Sequence, residues 1–293
     1  MEGIRVIKIL SSKNYEEENK NYGDCIVFID NKQAIIYDCG SEEHAKRAIE
    51  LLDENSIDKA IVVLSHNDDD HFKGIPYLIQ EDRVDKLFTI LLLKYKKELL
   101  DELDDDRRKN DSIARTITEL YDNIASLSKK VTLKDVYENE DEFPSQMKRI
   151  GPEFDYMIKA AAKGINNCES DSIDGETITN AASVQIELSF NSKKMLLTGD
   201  CTPVAIPEDV KLNTYDFIQL PHHGKPALAD EVFERADDNI DITYVVSDNT
   251  GNSNGGSDDL NCVGHKVKNT KEGDILLTEE SAKPSYSGRT LNV

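Results

Sequence analysis

The sequence predicts an α/β protein, and three observations carry that prediction. Short apolar runs rich in β-branched residues, Ala60–Leu64 foremost, end abruptly in polar loops, as strands covered on both faces do. Between them lie stretches with helical spacing: Glu42–Leu52 puts Ala45, Ala48, Ile49 and Leu52 on one face. Strand-like stretches recur near both ends of the chain, with helical and charged segments between. Strands alternating with helices point to layered α/β architecture.

Taken in order, Ile4–Leu10 reads as a first strand, followed by the polar, acidic turn Asn14–Asn21. Cys25–Ile29 and Ala34–Tyr37 read as a hairpin joined at Asp30-Asn31, with the second strand ending in Asp38-Cys39-Gly40-Ser41. After the helix and the strand Ala60–Leu64 comes Ser65-His66-Asn67-Asp68-Asp69-Asp70-His71. Residues of about 95–175 differ in character. Lys96–Asp106 is dense in charge, Ser112–Leu127 has helical periodicity and Tyr137–Glu142 is acidic, so this stretch is expected as a mostly helical insertion or lid. Strands return at Ser183–Phe190, Lys194–Thr198, Phe217–Leu220, Ile242–Ser247 and Ile275–Thr278, with a Gly/Asn/Ser/Asp loop at Asn249–Asp259.

Composition narrows the function. With 293 residues, 38% hydrophobic and 31% charged, the chain can bury a substantial core and is too apolar for disorder. No apolar run approaches the roughly 20 residues of a membrane span, and the start shows no export signal. Five cysteines form no CxxC pair, which argues against a disulfide framework or a cysteine zinc site and for a reducing cytoplasm. The net charge of −22 repels polyanions at long range and disfavours broad DNA binding, although metal ions could create a local positive site.

The chemistry concentrates in two histidine clusters and one aspartate. His66-x-Asp68-x-Asp70-His71 packs four imidazole or carboxylate groups into six residues directly after a buried strand. A loop can turn such side chains to one point, and these are the ligands of zinc, manganese and iron sites that activate water. An acidic solvated turn is the bland alternative. Pro221-His222-His223-Gly224 follows a second apolar strand, and Leu196–Asp200 is a strand ending in Gly-Asp. Three polar groups at three strand ends match the place where α/β sheets hold their sites. Cys39 and Cys201 read as small buried side chains, and His44 as an exposed residue on an acidic helix. Lys73 reads as a surface lysine, and Arg107, Arg108 and Lys109 as part of a solvated helix face.

These motifs resemble the metallo-β-lactamase-fold hydrolases, and most closely the branch found as the soluble domain of ComEC/Rec2 proteins. Asp38-Cys39-Gly40 is similar to the family's Asp-x-Gly, and Ser65–Gly74 (SHNDDDHFKG) to its SHxDxDHxxG. Asn180–Ser183 is similar to the branch's Asn-x-x-Ser, Leu196–Asp200 to LLTGD and Asp216–Gly224 to Asp-x-x-x-x-PHHG. The resemblance covers most of the chain, in order. It implies a four-layer αββα sandwich formed by residues 1–293 as one domain, with the helical, charged insertion at about 95–175. It also implies two divalent ions, Zn2+ or Mn2+, at one edge. His66 and Asp68 would bind one ion. Asp70, His71 and one of the paired histidines, by preference His223, would bind the other, with Asp200 bridging. Asp70 and His222 would be the catalytic residues, with His222 free to bind the leaving group or the developing negative charge, and a hydroxide between the ions would be the nucleophile. No histidine lies between His71 and His222, which departs from much of the wider family but fits this branch.

The resemblance implies hydrolysis of a phosphodiester, nucleic acid or nucleotide. The runner-up substrate is another small anionic ester of the phosphocholine type. A rival reading of another class is a non-catalytic partner-binding protein that keeps the fold. Asn249 and His265 are weaker candidates for substrate contact.

Overall fold

The computed structural model describes residues 5–103, 115, 122–127, 129–166, 172–236, 241–251 and 256–278. The first sheet collects β1 (Arg5–Ile9), β2 (Ile26–Asp30), β3 (Gln33–Tyr37), β4 (Ala60–Val63), β5 (Val84–Thr89), β6 (Thr132–Asp135) and, from the far end of the chain, β15 (Ile275–Leu277). Its order is β15-β1-β2-β3-β4-β5-β6. Pairing is antiparallel up to β3 and parallel from β3 to β6. The second sheet collects β7 (Met147–Gly151), β10 (Gln185–Phe190), β11 (Lys193–Leu197), β12 (Phe217–Gln219), β13 (Thr243–Val246) and β14 (Lys266–Asn269), in the order β14-β13-β12-β11-β10-β7. Here β11 through β14 run parallel. A short hairpin of β8 (Ser172–Ile173) and β9 (Glu176–Thr177) stands apart.

Strand alternation builds the layers. On β2, Ile26 and Phe28 point into a core shared by both sheets, while Val27 and Ile29 face helices on the outside. The shared core also holds Tyr37 and Phe88 from the first sheet and Leu188, Leu197 and Phe217 from the second. Helix α1 (Glu42–Glu54) is capped by the Ser41 hydroxyl, which accepts from the His44 N–H. It lays Ala45, Ala48, Leu51 and Leu52 on the outside of the first sheet. Two short helices follow the β4 loop, α2 (Asp69–Phe72) and α3 (Ile75–Gln80). On the outside of the second sheet, a helix at Pro226–Arg235 packs Ala229, Val232 and Phe233 against Ile218, Tyr244 and Val246. The architecture is therefore the expected αββα sandwich.

Residues 95–175 are more than a helical insertion. Helix α4 (Lys96–Leu103) and helix 154–166 pack a separate core of Leu99, Leu103, Met157, Ala161 and Ile165. The same stretch also gives each sheet an edge strand, β6 and β7, whose sequences TLKD and MKRIG conceal them. Edge strands bury less surface, so their apolar signal is weak. Arg107, Arg108, Lys109, Cys168 and most of the expected 112–127 helix lie outside the described residues. His44 corrects an expectation: it is fully buried, packed against the touching rings of Tyr15 and Tyr22. Burial pushes its pKa down to about 4, which keeps the imidazole neutral. No helix among the described residues is long and apolar enough to cross a membrane.

Candidate metal centre

The carboxyl ends of β3, β4, β11, β12 and β13 meet at one edge of the sandwich, and each delivers polar side chains there. Asp38 follows β3, His66 follows β4, Asp200 follows β11, His222 and His223 follow β12, and Ser247 follows β13. Among the described residues, four sets of groups come within 4.8 Å of one another: His66, His71 and Asp200; Asp70, His71 and His223; Asp24, Asp200 and His223; and Asp24, Asp38 and His71. Rings of His66 and His71 lie 4.1 Å apart between centroids, and those of His71 and His223 5.5 Å.

Each histidine is oriented through Nδ1. His71 Nδ1 lies 2.8 Å from Asp38 Oδ2. His223 Nδ1 lies 3.1 Å from Asp24 Oδ1 and 2.9 Å from the Ser247 carbonyl. His222 Nδ1 lies 2.8 Å from Glu176 Oε2. All of these partners are acceptors, so Nδ1 carries the proton and Nε2 the lone pair in the neutral ring. For His66 the partners are hydroxyls, Ser65 Oγ at 2.9 Å and Ser183 Oγ at 3.1 Å. Ser65 Oγ already donates to Asp38, which leaves it to accept from His66 Nδ1.

This orientation provides the test of whether a cation fits. The Nε2 atoms of His66 and His71 and Oδ1 of Asp200 are buried without hydrogen-bond partners. His71 Nε2 and Asp200 Oδ1 lie 3.3 Å apart but do not align as a hydrogen bond. Buried polar atoms left unpaired cost free energy, and here three of them face one point. Imidazole nitrogen and carboxylate oxygen are the donors a divalent cation takes, so the residues fit a metal. The tautomers match too, since outer carboxylates holding Nδ1–H are the usual supports of ligating histidines.

Electrostatics agree. Burial pushes the His66 pKa down to about 3, so the ring is neutral and its lone pair available. Burial would also depress His71 and His223, but the carboxylate of Asp200, with Asp38 and Asp24 respectively, holds both well above the ordinary value. Against the cost of burial, His71 and His223 hold Asp200 well below the usual carboxylate range. The His223 contact does the same for Asp70. Asp68 goes the other way: burial, together with the charges of Asp70 and Asp200, lifts it to about 6. His71 and His223 on one side and Asp200 and Asp70 on the other thus favour each other's charged forms, and a divalent cation would supply that positive charge in place of the imidazole protons.

The expected residues are not all equally central. Asp68 is 45% exposed at its side chain, and its Oδ2 lies 3.7 Å from His66 Nε2, at the rim. His222 is 31% exposed, and its Nε2 is 3.9 Å from Asp200 Oδ2. Asn249 is not brought into the cluster. Its amide donates to the carbonyls of Leu10 and Gly23 and its oxygen accepts from the Ser12 N–H, so it ties loops together. His265 stacks on Phe233 at 3.8 Å on the outside of the second sheet. Cys39 and Cys201 are buried, as expected. Lys73 pairs with Asp69 at 2.7 Å.

Sequence reasoning missed Asp24, Glu176 and Asn21. No local pattern marks Asp24 or Glu176. Asn21 closes a segment that reads as an ordinary polar turn. Asp38 and Ser183 stood inside quoted motifs without an assigned task.

Among solved structures, the chain is similar to the metallo-beta-lactamase fold protein YhfI from Bacillus subtilis (11% identity, TM-score 0.49, covering 94% of this chain and 99% of that one). It is also similar to Zn(2+)-bound PqqB from Methylobacterium extorquens (12%, 0.49, 93% and 99%) and to the short form of human tRNase Z (12%, 0.43, 82% and 91%). No curated protein matches the chain. The family model described as the metallo-beta-lactamase superfamily matches residues 19–247, and the chain belongs to that superfamily.

Proposed function

We propose that this protein is a hydrolase of phosphodiesters that works with two divalent ions, Zn2+ or Mn2+, in a cytoplasmic setting. The observation that carries the reading is the convergence of unpaired, buried His66 Nε2, His71 Nε2 and Asp200 Oδ1 beside His223 and Asp70. The likeness of Ser65–Gly74 and Asp216–Gly224 to ComEC-type motifs supports the phosphodiester class. When bound, the ions would supply Lewis-acid polarisation of a phosphoryl oxygen and ease the attack of water.

The chain's own residues then have separate tasks. His66 and Asp68 would hold one ion and Asp70, His71 and His223 the other, with His71 close enough to His66 to reach both sides and Asp200 serving both. His222, steadied by Glu176, presents Nε2 at the open side of the centre, where the ring in its protonated form would donate to a leaving oxygen. Glu176 in turn pairs with Lys225.

A nucleotide-sized or otherwise short phosphodiester fits better than long DNA. The net charge is −22, and the lysines next to the motifs, Lys73 and Lys225, are paired with Asp69 and Glu176. The test is hydrolysis of bis(p-nitrophenyl) phosphate by metal-free protein titrated with Mn2+ and then Zn2+. Activity saturating near about two equivalents, and lost in Asp70→Ala, is expected. Silence with both ions bound overturns the phosphodiester reading in favour of another anionic ester. Silence without metal uptake overturns the enzyme reading in favour of a binding module.

A further inference from the structure

The turn Asn21–Asp24 belongs to none of the motifs, yet it grips the centre at several points. Asn21 Nδ2 donates to Asp70 Oδ2 at 2.7 Å. The Asp24 N–H donates to the Asp70 carbonyl at 2.9 Å. Between them Gly23, at φ +65, lies so close that a Cβ would stand 1.7 Å from that same carbonyl oxygen. The Gly23 N–H donates to Asn21 Oδ1 at 2.9 Å, which fixes the amide so that its NH2 faces the carboxylate.

The same turn reaches across to the second sheet. Asp24 is fully buried, and its oxygens accept from His223 Nδ1 at 3.1 Å and from Gln219 Nε2 at 2.8 Å. Gln219 is anchored in turn, since its Oε1 accepts from the Thr198 N–H at 3.1 Å. Asp24 lies within 4.8 Å of Asp200 and His223, but both its oxygens are already engaged, so it acts as the holder of His223 rather than as a ligand itself. His66 is held separately, by Ser65 and Ser183.

We propose that Asn21–Asp24 is a positioning clamp that sets the affinity of the ion position at Asp70 and His223, largely independently of the position at His66. The proposal rests on the metal-centre reading given under Proposed function. A carboxylate free to swing and an imidazole free to rotate must both be ordered when an ion binds. The clamp orders them beforehand and keeps the His223 proton on Nδ1. Removing such an outer partner typically lowers metal affinity about 10–100-fold.

The experiment is calorimetric titration of the full metal-free chain with Zn2+, comparing wild type, Asp24→Asn and Asn21→Ala. In Asp24→Asn one binding event is expected to weaken about 10–100-fold while the other keeps its affinity. Asn21→Ala is expected to weaken the same event by less, because His223 stays held. If Asp24→Asn fails to fold, Asn21→Ala decides, since the half-buried Asn21 contacts only the Asp70 side of the centre. Unchanged affinities in both variants, or equal weakening of both events, overturn the clamp. A wild-type chain that binds one ion also overturns it, and one that takes up none removes the metal-centre reading and the clamp with it.

Discussion

His222 and His223 are neighbours in sequence but serve opposite sides of the centre, and their backbone explains how. Both sit in the left-handed region, at φ 48 and 53, which costs about 1–3 kcal/mol at each non-glycine residue. The turn sends His222 to Glu176 and His223 to Asp24, with ring planes at 75°. His222→Ala is therefore expected to cut turnover while both ions stay bound. Asp200→Ala is expected to abolish activity and lower metal content together, as measured by assay and metal analysis of one preparation. Asp68 makes a pH-dependent prediction. Its folded pKa of about 6 lies above the ordinary 3.8, so the metal-free fold favours the protonated form. That contribution is present below about pH 4 and is lost as pH rises through about 6. In metal-free protein, Asp68→Asn should raise the melting temperature near pH 8 and leave it nearly unchanged near pH 4.

At the scale of elements, the helix Pro226–Arg235 fastens the outer layer to the second sheet through Phe233, which meets Tyr244 edge-on at 4.7 Å and His265 face to face. Phe233→Ala is expected to cost about 3–5 kcal/mol in denaturant unfolding, with turnover per folded molecule preserved. For the same reason His265→Ala should lower stability rather than raise KM. The β8–β9 hairpin behaves differently. It adds little core, but it carries Glu176 to His222, so this small element connects the 95–175 region to the chemistry.

For the whole molecule, charge decides how substrate arrives. A surface of −22 repels phosphodiesters, and the repulsion extends about 30 Å at 0.01 M salt but only about 8 Å at 0.15 M. Hydrolysis of an anionic substrate should therefore speed up in kcat/KM as salt is added, more steeply for oligonucleotides than for dinucleotides. A nuclease that recruits DNA through a basic groove would show the opposite slope.

The sequence by itself determined the layered α/β architecture and where its polar strand ends lie. Apolar period, hairpin turn and ligand-type spacing are local properties, legible in Ala60–His71 or Phe217–Gly224 without the rest of the chain. It could not reveal β6 and β7, because edge strands need little apolar surface, nor the burial of His44, whose helix face is set by Tyr15 and Tyr22. Only the tertiary structure decided which groups hold the histidines. Asp24 reaches His223 across 199 residues and Ser183 reaches His66 across 117. Such contacts depend on two sheets meeting face to face, and no short-range pattern encodes that meeting.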